Sequence, residues 1–324
     1  MIAILRALAL VAAALAATAV PAQPEPYPAR QVKIVVGFPP GGINDIVARV
    51  LGARMTESTG QPVLVENRPG AGGTIGVDYV AKSRPDGYTL VLGSVSNMAM
   101  AMSQYKTLPY DTMRDFAPVT LAAAAPNILV AHPGFAPKTV KELVELAKQK
   151  PGALAYGSAG NGTSNHLTVE LLKSATGVDV VHVPYKGDAP AVQDTVGGQI
   201  PFMFATLPVV LQHIRGGKLR AIAVSSIRRS ALLPDVPTVS ESGIANFEVS
   251  VWVGILAPAG TPKEIVAKLN AEIVRIVNTP AVREHLAGLG VESFGNSAEQ
   301  FSQVIASDIA KWGQVARRAG IQPN

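Results

Sequence analysis

The sequence predicts an α/β protein of two domains joined by two crossover strands, and three observations carry that expectation. Short apolar runs alternate with segments of helical period along the chain. Its 324 residues exceed what a single hydrophobic core usually organises. Two extended apolar stretches beside prolines, Pro118 to Ala131 and Glu248 to Ala257, are not followed at once by a helix. That is the pattern of a chain that leaves one domain, builds a second and returns. The expected division is a leader at 1–22, a first domain made of 23–124 and 250–324, and a second domain at 125–249.

Residues 1–22 read as a secretory signal: Arg6 precedes an apolar run from Ala7 to Ala17, and the small residues Val20 and Ala22 precede Gln23. Cleavage is expected near Gln23, with a periplasmic destination. No later stretch offers the roughly twenty uninterrupted apolar residues of a membrane span, so the rest is expected to be soluble. The chain has no cysteine, which excludes disulfides, a thiolate nucleophile, thiolate metal ligands and a lipid-modified cysteine anchor. Hydrophobic residues make up 48% and charged residues 16%, enough to fill two cores. The formal net charge is +5, but lysine and arginine are scattered without a run, so a solvated surface is expected and nucleic acid is not.

Val32 to Phe38 is expected as a buried strand, followed by a helix in which Ile46, Val47, Val50, Leu51 and Met55 recur at helical spacing. Further strands are expected at Val63 to Glu66, Thr89 to Gly93, Ala153 to Tyr156, Val180 to Val183, Ile200 to Phe204 and Leu219 to Ser225. Capping boxes are read at Thr139 with Glu142, at Thr261 with Glu264 and at Ser297 with Gln300. Ile265, Leu269, Ile273 and Ile276 share a helix face that should cover a sheet. A terminal helix from Ser297 to about Arg318 includes Trp312.

Four loops between strand and helix could hold an anion. In Phe38-Pro39-Pro40-Gly41-Gly42-Ile43-Asn44-Asp45, prolines keep the chain extended and glycines let backbone N–H groups approach a ligand at a helix start. The same loop could equally be a turn with Asn44 or Asp45 as the N-cap. The cluster Asn67 to Gly76 lacks the glycine spacing of a dinucleotide loop, because Ile75 stands where the third glycine belongs, and lacks the Lys-Ser/Thr of a phosphate loop. It reads as a tight turn beside a cleft. The loop Tyr156 to His166 gathers small hydroxyls and bare amides. A nucleophile elbow there fails because Tyr156 occupies a required glycine position, so Ser158 is a better ligand donor than nucleophile. In Val183 to Pro190, Lys186 could attract a carboxylate, while Asp188 could accept from an amine or act as N-cap. The five histidines show no ligand spacing, so no metal is expected.

These loops, taken in order, resemble one family. The matching stretches include Phe38-Pro39-Pro40-Gly41-Gly42, Val65-Glu66-Asn67-Arg68-Pro69-Gly70-Ala71-Gly72-Gly73, Pro85-Asp86-Gly87-Tyr88-Thr89-Leu90, Val183-Pro184-Tyr185-Lys186-Gly187, Leu233-Pro234-Asp235-Val236-Pro237-Thr238 and Ala257-Pro258-Ala259-Gly260-Thr261-Pro262. The chain is similar to the extracytoplasmic receptors of tripartite tricarboxylate transporters, the Bug family. The resemblance implies a two-domain periplasmic-binding-protein fold (Venus-flytrap, type II) that closes on a small carboxylate and hands it to two integral membrane subunits. It implies no catalysis and no cofactor, with a monomer as the default. It also implies a ligand set: Phe38, Pro40, Gly42 and Asn44 on one jaw with Ser94 and Asn97 nearby. Ser158, Asn161, Thr163 and His166 would line the other, with Asp188, Ala189 and Thr206 at its edge. Asn44 and Asp188 stand where the family often has smaller residues. The rival readings are a secreted hydrolase using Ser158 and His166, and a regulator's effector domain, against which the export signal and the missing DNA-binding segment argue.

Overall fold

The computed structural model describes residues 27–318, so the expected leader lies outside the described residues. The chain starts with the β-α units of the first lobe: β1 (Val32–Val36), α1 (Ile43–Thr59), β2 (Val63–Asn67), α2 (Thr74–Ala81), β3 (Thr89–Ser94) and the single turn α3 (Val95–Met98). β1 pairs in parallel with both β2 and β3. Val32, Ile34, Val35 and Val36 are fully buried, as expected of a parallel strand covered on both faces. β1 ends two residues before the expected Phe38, because the chain must turn at Gly37. A Cβ there would lie 2.4 Å from the Gly73 carbonyl oxygen, and only glycine permits that approach.

After the turn α4 (Thr112–Asp115), β4 (Phe116–Ala131) runs for 16 residues. The second lobe follows as α5 (Val140–Gln149), β5 (Ala155–Ser158), α6 (Ser164–Thr176), β6 (Val181–Pro184), α7 (Asp188–Val196), β7 (Phe202–Thr206), α8 (Leu207–Arg215) and β8 (Arg220–Val224). The chain then returns through β9 (Ser250–Pro258), α9 (Lys263–Val277), α10 (Pro280–Gly288), the two-residue β10 (Glu292–Ser293) and α11 (Ala298–Arg318).

The first lobe's sheet has the order β2-β1-β3-β9-β4, with β10 on the outer side of β4. The second has β4 flanked by β8 and β7, then β5 and β6. The strand β4 belongs to both. Its stretch from Phe116 to Pro126 pairs antiparallel with β9, and Asn127 to Ala131 pairs with β7. The two passages between lobes lie side by side, Pro126 opposite Ser250. Buried Ser225 ties them: its amide donates to Asn127 O at 2.8 Å, its hydroxyl donates to Val249 O at 2.6 Å, and its carbonyl accepts from Val249 N at 2.9 Å.

The apolar face of α9 buries Leu269, Ile273 and Ile276, as its spacing requires. Across the sheet α11 buries Phe301, Ile305 and Trp312. Phe301 meets Trp252 edge-on at 5.4 Å, and Trp252 Nε1 donates to Asp308 at 2.5 Å. The capping box at Ser297 and Gln300 forms in both directions. Thr139 caps Glu142 N, but Glu142 reaches back to Lys138 N rather than to Thr139. The box expected at Thr261 and Glu264 does not form. Pro262 is the N-cap of α9, and the Thr261 hydroxyl donates instead to Pro258 O at 2.8 Å.

Candidate functional site

The loops that follow the parallel strands of the two lobes face each other, the usual place for a ligand in α/β sheets. They are already in contact. Ser164 N donates to Ser96 Oγ at 3.0 Å, and Gln104 Nε2 donates to Gly162 O at 3.3 Å. A Cβ on Gly187 would stand 2.9 Å from Pro39, and one on Gly42 would stand 3.1 Å from Asp188 Oδ2. The lobes are therefore shut on one another. At the mouth lies a cavity of about 740 Å³ whose lining includes Phe38, Pro39, Tyr105, Asn161, Tyr185 and Lys186.

In the first lobe the N-cap of α1 is Gly42, not Asn44 or Asp45, and no side chain caps it. Asp45, three residues in, accepts from Gly41 N at 3.1 Å and Arg49 Nε at 2.9 Å. Its other oxygen accepts from Asn67 Nδ2 at 3.0 Å, and that amide also donates to Phe38 O. Burial works against the charge of Asp45, but the bonds from Arg49, Asn67 and Gly41 together outweigh it and hold the carboxyl below its ordinary range. Asp45 thus clamps the loop, and Gly42 faces Asp188 of the other lobe. Asn44 is buried and its Nδ2 has no partner. Ser94 and Asn97 form a capping box at α3, which leaves buried Asn97 Nδ2 unpartnered beside Gly73 and Phe38. Phe38 is half-buried and Pro40 is exposed at the rim.

In the second lobe the Ser158 hydroxyl lies 2.6 Å from His182 Nε2 and accepts from Gly160 N at 3.1 Å. His166, its partner in the rival hydrolase reading, instead accepts from Gly162 N through Nδ1 at 3.2 Å and stacks on His182, with centroids 4.0 Å apart. Ser158 is fully buried and committed to its own loop. The hydrolase pairing of Ser158 with His166 is thus replaced by a pairing with His182. Burial, and then the charge of Lys173, pulls His166 down to about 4. Burial, and then His166 itself, pulls His182 down to about 3. The two neutral rings brace the Ser158 to Thr163 loop, in which Thr163 Oγ1 donates to Gly160 O at 2.8 Å. Asn161 and Ala189 are exposed at the mouth.

Asp188 is the first residue of α7, whose N-cap is Gly187, so Asp188 is not the expected cap. Its Oδ1 accepts from Asn165 Nδ2 at 3.3 Å, and burial pushes its carboxyl up to about 6. Thr206, the N-cap of α8, is buried with its hydroxyl unpartnered. Opposite it in register stands Asn127, fully buried with Oδ1 unpartnered.

Sequence reasoning missed Asn127, although an amide within the otherwise apolar end of β4 was a visible signal. It also missed Ser96, Gln104 and Asn165, whose roles come from pairings across loops that spacing does not disclose. Among the described residues, four of seven unpartnered buried polar atoms belong to the candidate set or to the strand beside it: Asn44 Nδ2 at the start of α1, Asn97 Nδ2 in α3, Asn127 Oδ1 in β4 and Thr206 Oγ1 at the end of β7. Each such group costs about 1–3 kcal/mol if left dry, so their gathering points to polar atoms supplied from outside. The starts of α1, α7 and α8 lack side-chain caps here and add amides and favourable dipoles for an anion, whereas the first amide of α6 is taken by Ser96 Oγ.

Known proteins resemble this chain along most of its length. The family described as "Tripartite tricarboxylate transporter family receptor" matches residues 47–321. Protein BugT of Bordetella pertussis is 40% identical over 308 residues, covering 95% of this chain and 94% of that protein. A solved R. palustris structure with adipate is 36% identical with a TM-score of 0.89, covering 92% of this chain and 100% of that one. MatC from Rhodopseudomonas palustris, with bound malate, is 35% identical with a TM-score of 0.85, covering 89% and 99%. With its two-lobed fold and facing glycine loops, this chain belongs to the tripartite tricarboxylate transporter receptor family.

Proposed function

We propose that this protein is a periplasmic receptor that captures a small carboxylate between its lobes and, when shut, presents it to two integral membrane subunits of a transporter. The observation that carries this reading is that the glycine loops of the two lobes touch across the cleft, while buried polar atoms on both lobes lack partners. In this reading the lobes are divided at 124/125 and 249/250. The solute is held by Gly42, Asn44, Asn97 and Thr206, with Phe38, Pro40, Asn161 and Ala189 at the rim. Ser94, Ser158, Thr163 and His166 act by shaping the loops, since their polar atoms are already engaged.

Four charge-assisted hydrogen bonds to a carboxylate would contribute roughly 6–12 kcal/mol before closure and desolvation costs, leaving room for micromolar affinity at about −8 kcal/mol. No cationic side chain is needed. Solute that touches both lobes favours the shut form, which supplies the signal to the membrane subunits. Calorimetry with organic acids, adipate and malate among them, tests the reading alongside small-angle scattering. Micromolar binding with a fall in radius of gyration is expected. Absence of binding across the panel, or turnover of an ester or amide substrate that depends on Ser158, would count against it.

A further inference from the structure

We infer that Asp188 and Asn127 form an acceptor wall in the second lobe that selects a carboxylate bearing a protonated amine over the same carboxylate without one. This rests on the receptor reading above and narrows its solute to a zwitterion.

The hydrogen-bond network fixes which way each amide points. Thr168 Oγ1 donates to Ser164 O at 2.6 Å, so it can only accept from Asn127, whose Nδ2 lies 2.8 Å away. Asn127 therefore turns its acceptor, Oδ1, to the unpartnered side. Asn97 is fixed the opposite way. Its Oδ1 accepts from Ser94 N at 2.8 Å, which leaves the donor Nδ2 free. The free Asn44 atom is also a donor. Of the candidate residues, Asn44 and Asn97 of the first lobe thus offer N–H groups and Asn127 of the second offers an acceptor, with Thr206 able to do either.

Asp188 completes the acceptor side. Asn165 spends both protons of its amide, one on Phe204 O at 2.9 Å and one on Asp188 Oδ1 at 3.3 Å. Asp188 Oδ2 faces Gly42 across the closed cleft. Among the described residues, the Asn165 amide is the favourable polar contact that the carboxylate has, and no cation balances its charge. Asn165 and Thr168, one turn apart on α6, hold the two acceptors along one wall. A carboxylate closed into a cleft without a counter-charge is costly. It repels a second solute carboxylate and is relieved by an ammonium group; burial pushes its ionisation up only to about 6, so near neutral pH the group is still charged and able to pair.

The test is titration calorimetry on the secreted chain near neutral pH with matched pairs that differ by one amine: succinate and aspartate, glutarate and glutamate, adipate and 2-aminoadipate, butyrate and 4-aminobutyrate. At least one amine-bearing member should bind about tenfold or more tightly than its parent acid. In Asp188→Asn and Asp188→Ser, each checked by thermal melting, that ratio should fall to within about threefold. The inference is overturned if the parent acids bind as well as the amines in every pair, or if both folded variants keep the wild-type ratio. Binding of parent acids alone leaves the receptor reading standing. Failure of every acid, malate included, removes the receptor reading and this inference together.

Discussion

Acidification should loosen the second lobe through the stacked pair His166 and His182. Both rings are held neutral, with ionisation pulled from an ordinary value near 6.5 down to about 4 and about 3. The folded state therefore refuses protons that the unfolded chain accepts. Stability is full above pH 6.5 and is lost as pH falls toward the folded values. Each histidine costs about 1.4 kcal/mol per pH unit in that window, hence about 2 kcal/mol between pH 7 and pH 5. Asp188 acts with the opposite sign. Its carboxyl sits at about 6 in the fold, above the ordinary 3.8, so the folded state takes up its proton first and regains about 1.4 kcal/mol by pH 5. The histidine pair wins, for a net loss of about 2–3 kcal/mol. Urea denaturation followed by circular dichroism at pH 7 and pH 5 measures it. In His182→Asn the loss on acidification should shrink by about 2 kcal/mol, whatever the variant's absolute stability. An identical pH dependence in wild type and variant would refute the reasoning.

Gly42→Val should abolish closure rather than folding: the glycine has an ordinary φ of −81°, but a side chain meets Asp188 across the cleft. Calorimetric affinity should fall about tenfold or more, and the scattering radius should stop responding to solute, with the melting temperature little changed. Gly254→Ala should do the reverse, because its Cβ would lie 2.3 Å from the Phe301 ring and 2.7 Å from Thr120 O. Overpacking of this kind costs about 1–3 kcal/mol, read by denaturation, while solute affinity in the folded fraction is retained. Trp252→Phe should lose about 1–3 kcal/mol, because Asp308, whose ionisation burial already raises, would lose its indole donor. Denaturation at pH 7 checks this.

Much of the fold was legible because each lobe is built from β-α units whose apolar strands and helical periods are local signals. The long extended stretches were legible for the same reason, although their pairing as β4 and β9 across more than a hundred residues was not. Strand limits shifted by two residues at Gly37, where the chain turns early, and at Ser158 and Thr206, where it stays extended. The helix starts were misjudged at Gly42, Gly187 and Pro262. Propensity favours a polar side chain as N-cap, and at Gly42 and Gly187 the facing lobe crowds the loop instead. The pairing of Ser158 with His182 was hidden because the partners are 24 positions apart on neighbouring strands. Asn127 was passed over because its importance depends on the Thr168 hydroxyl, which only the packed α6 brings to it.

The placement of β9 between β3 and β4 has a kinetic consequence. Both neighbours are synthesised long before it, so the first lobe carries an open slot in its sheet until residues 250–258 arrive, after the whole second lobe. Pairings of such high sequence separation are slow to form. For a chain that we propose crosses a membrane before folding, a late-arriving central strand delays premature collapse during vectorial synthesis and makes arrival of the C-terminal quarter the committing step of maturation.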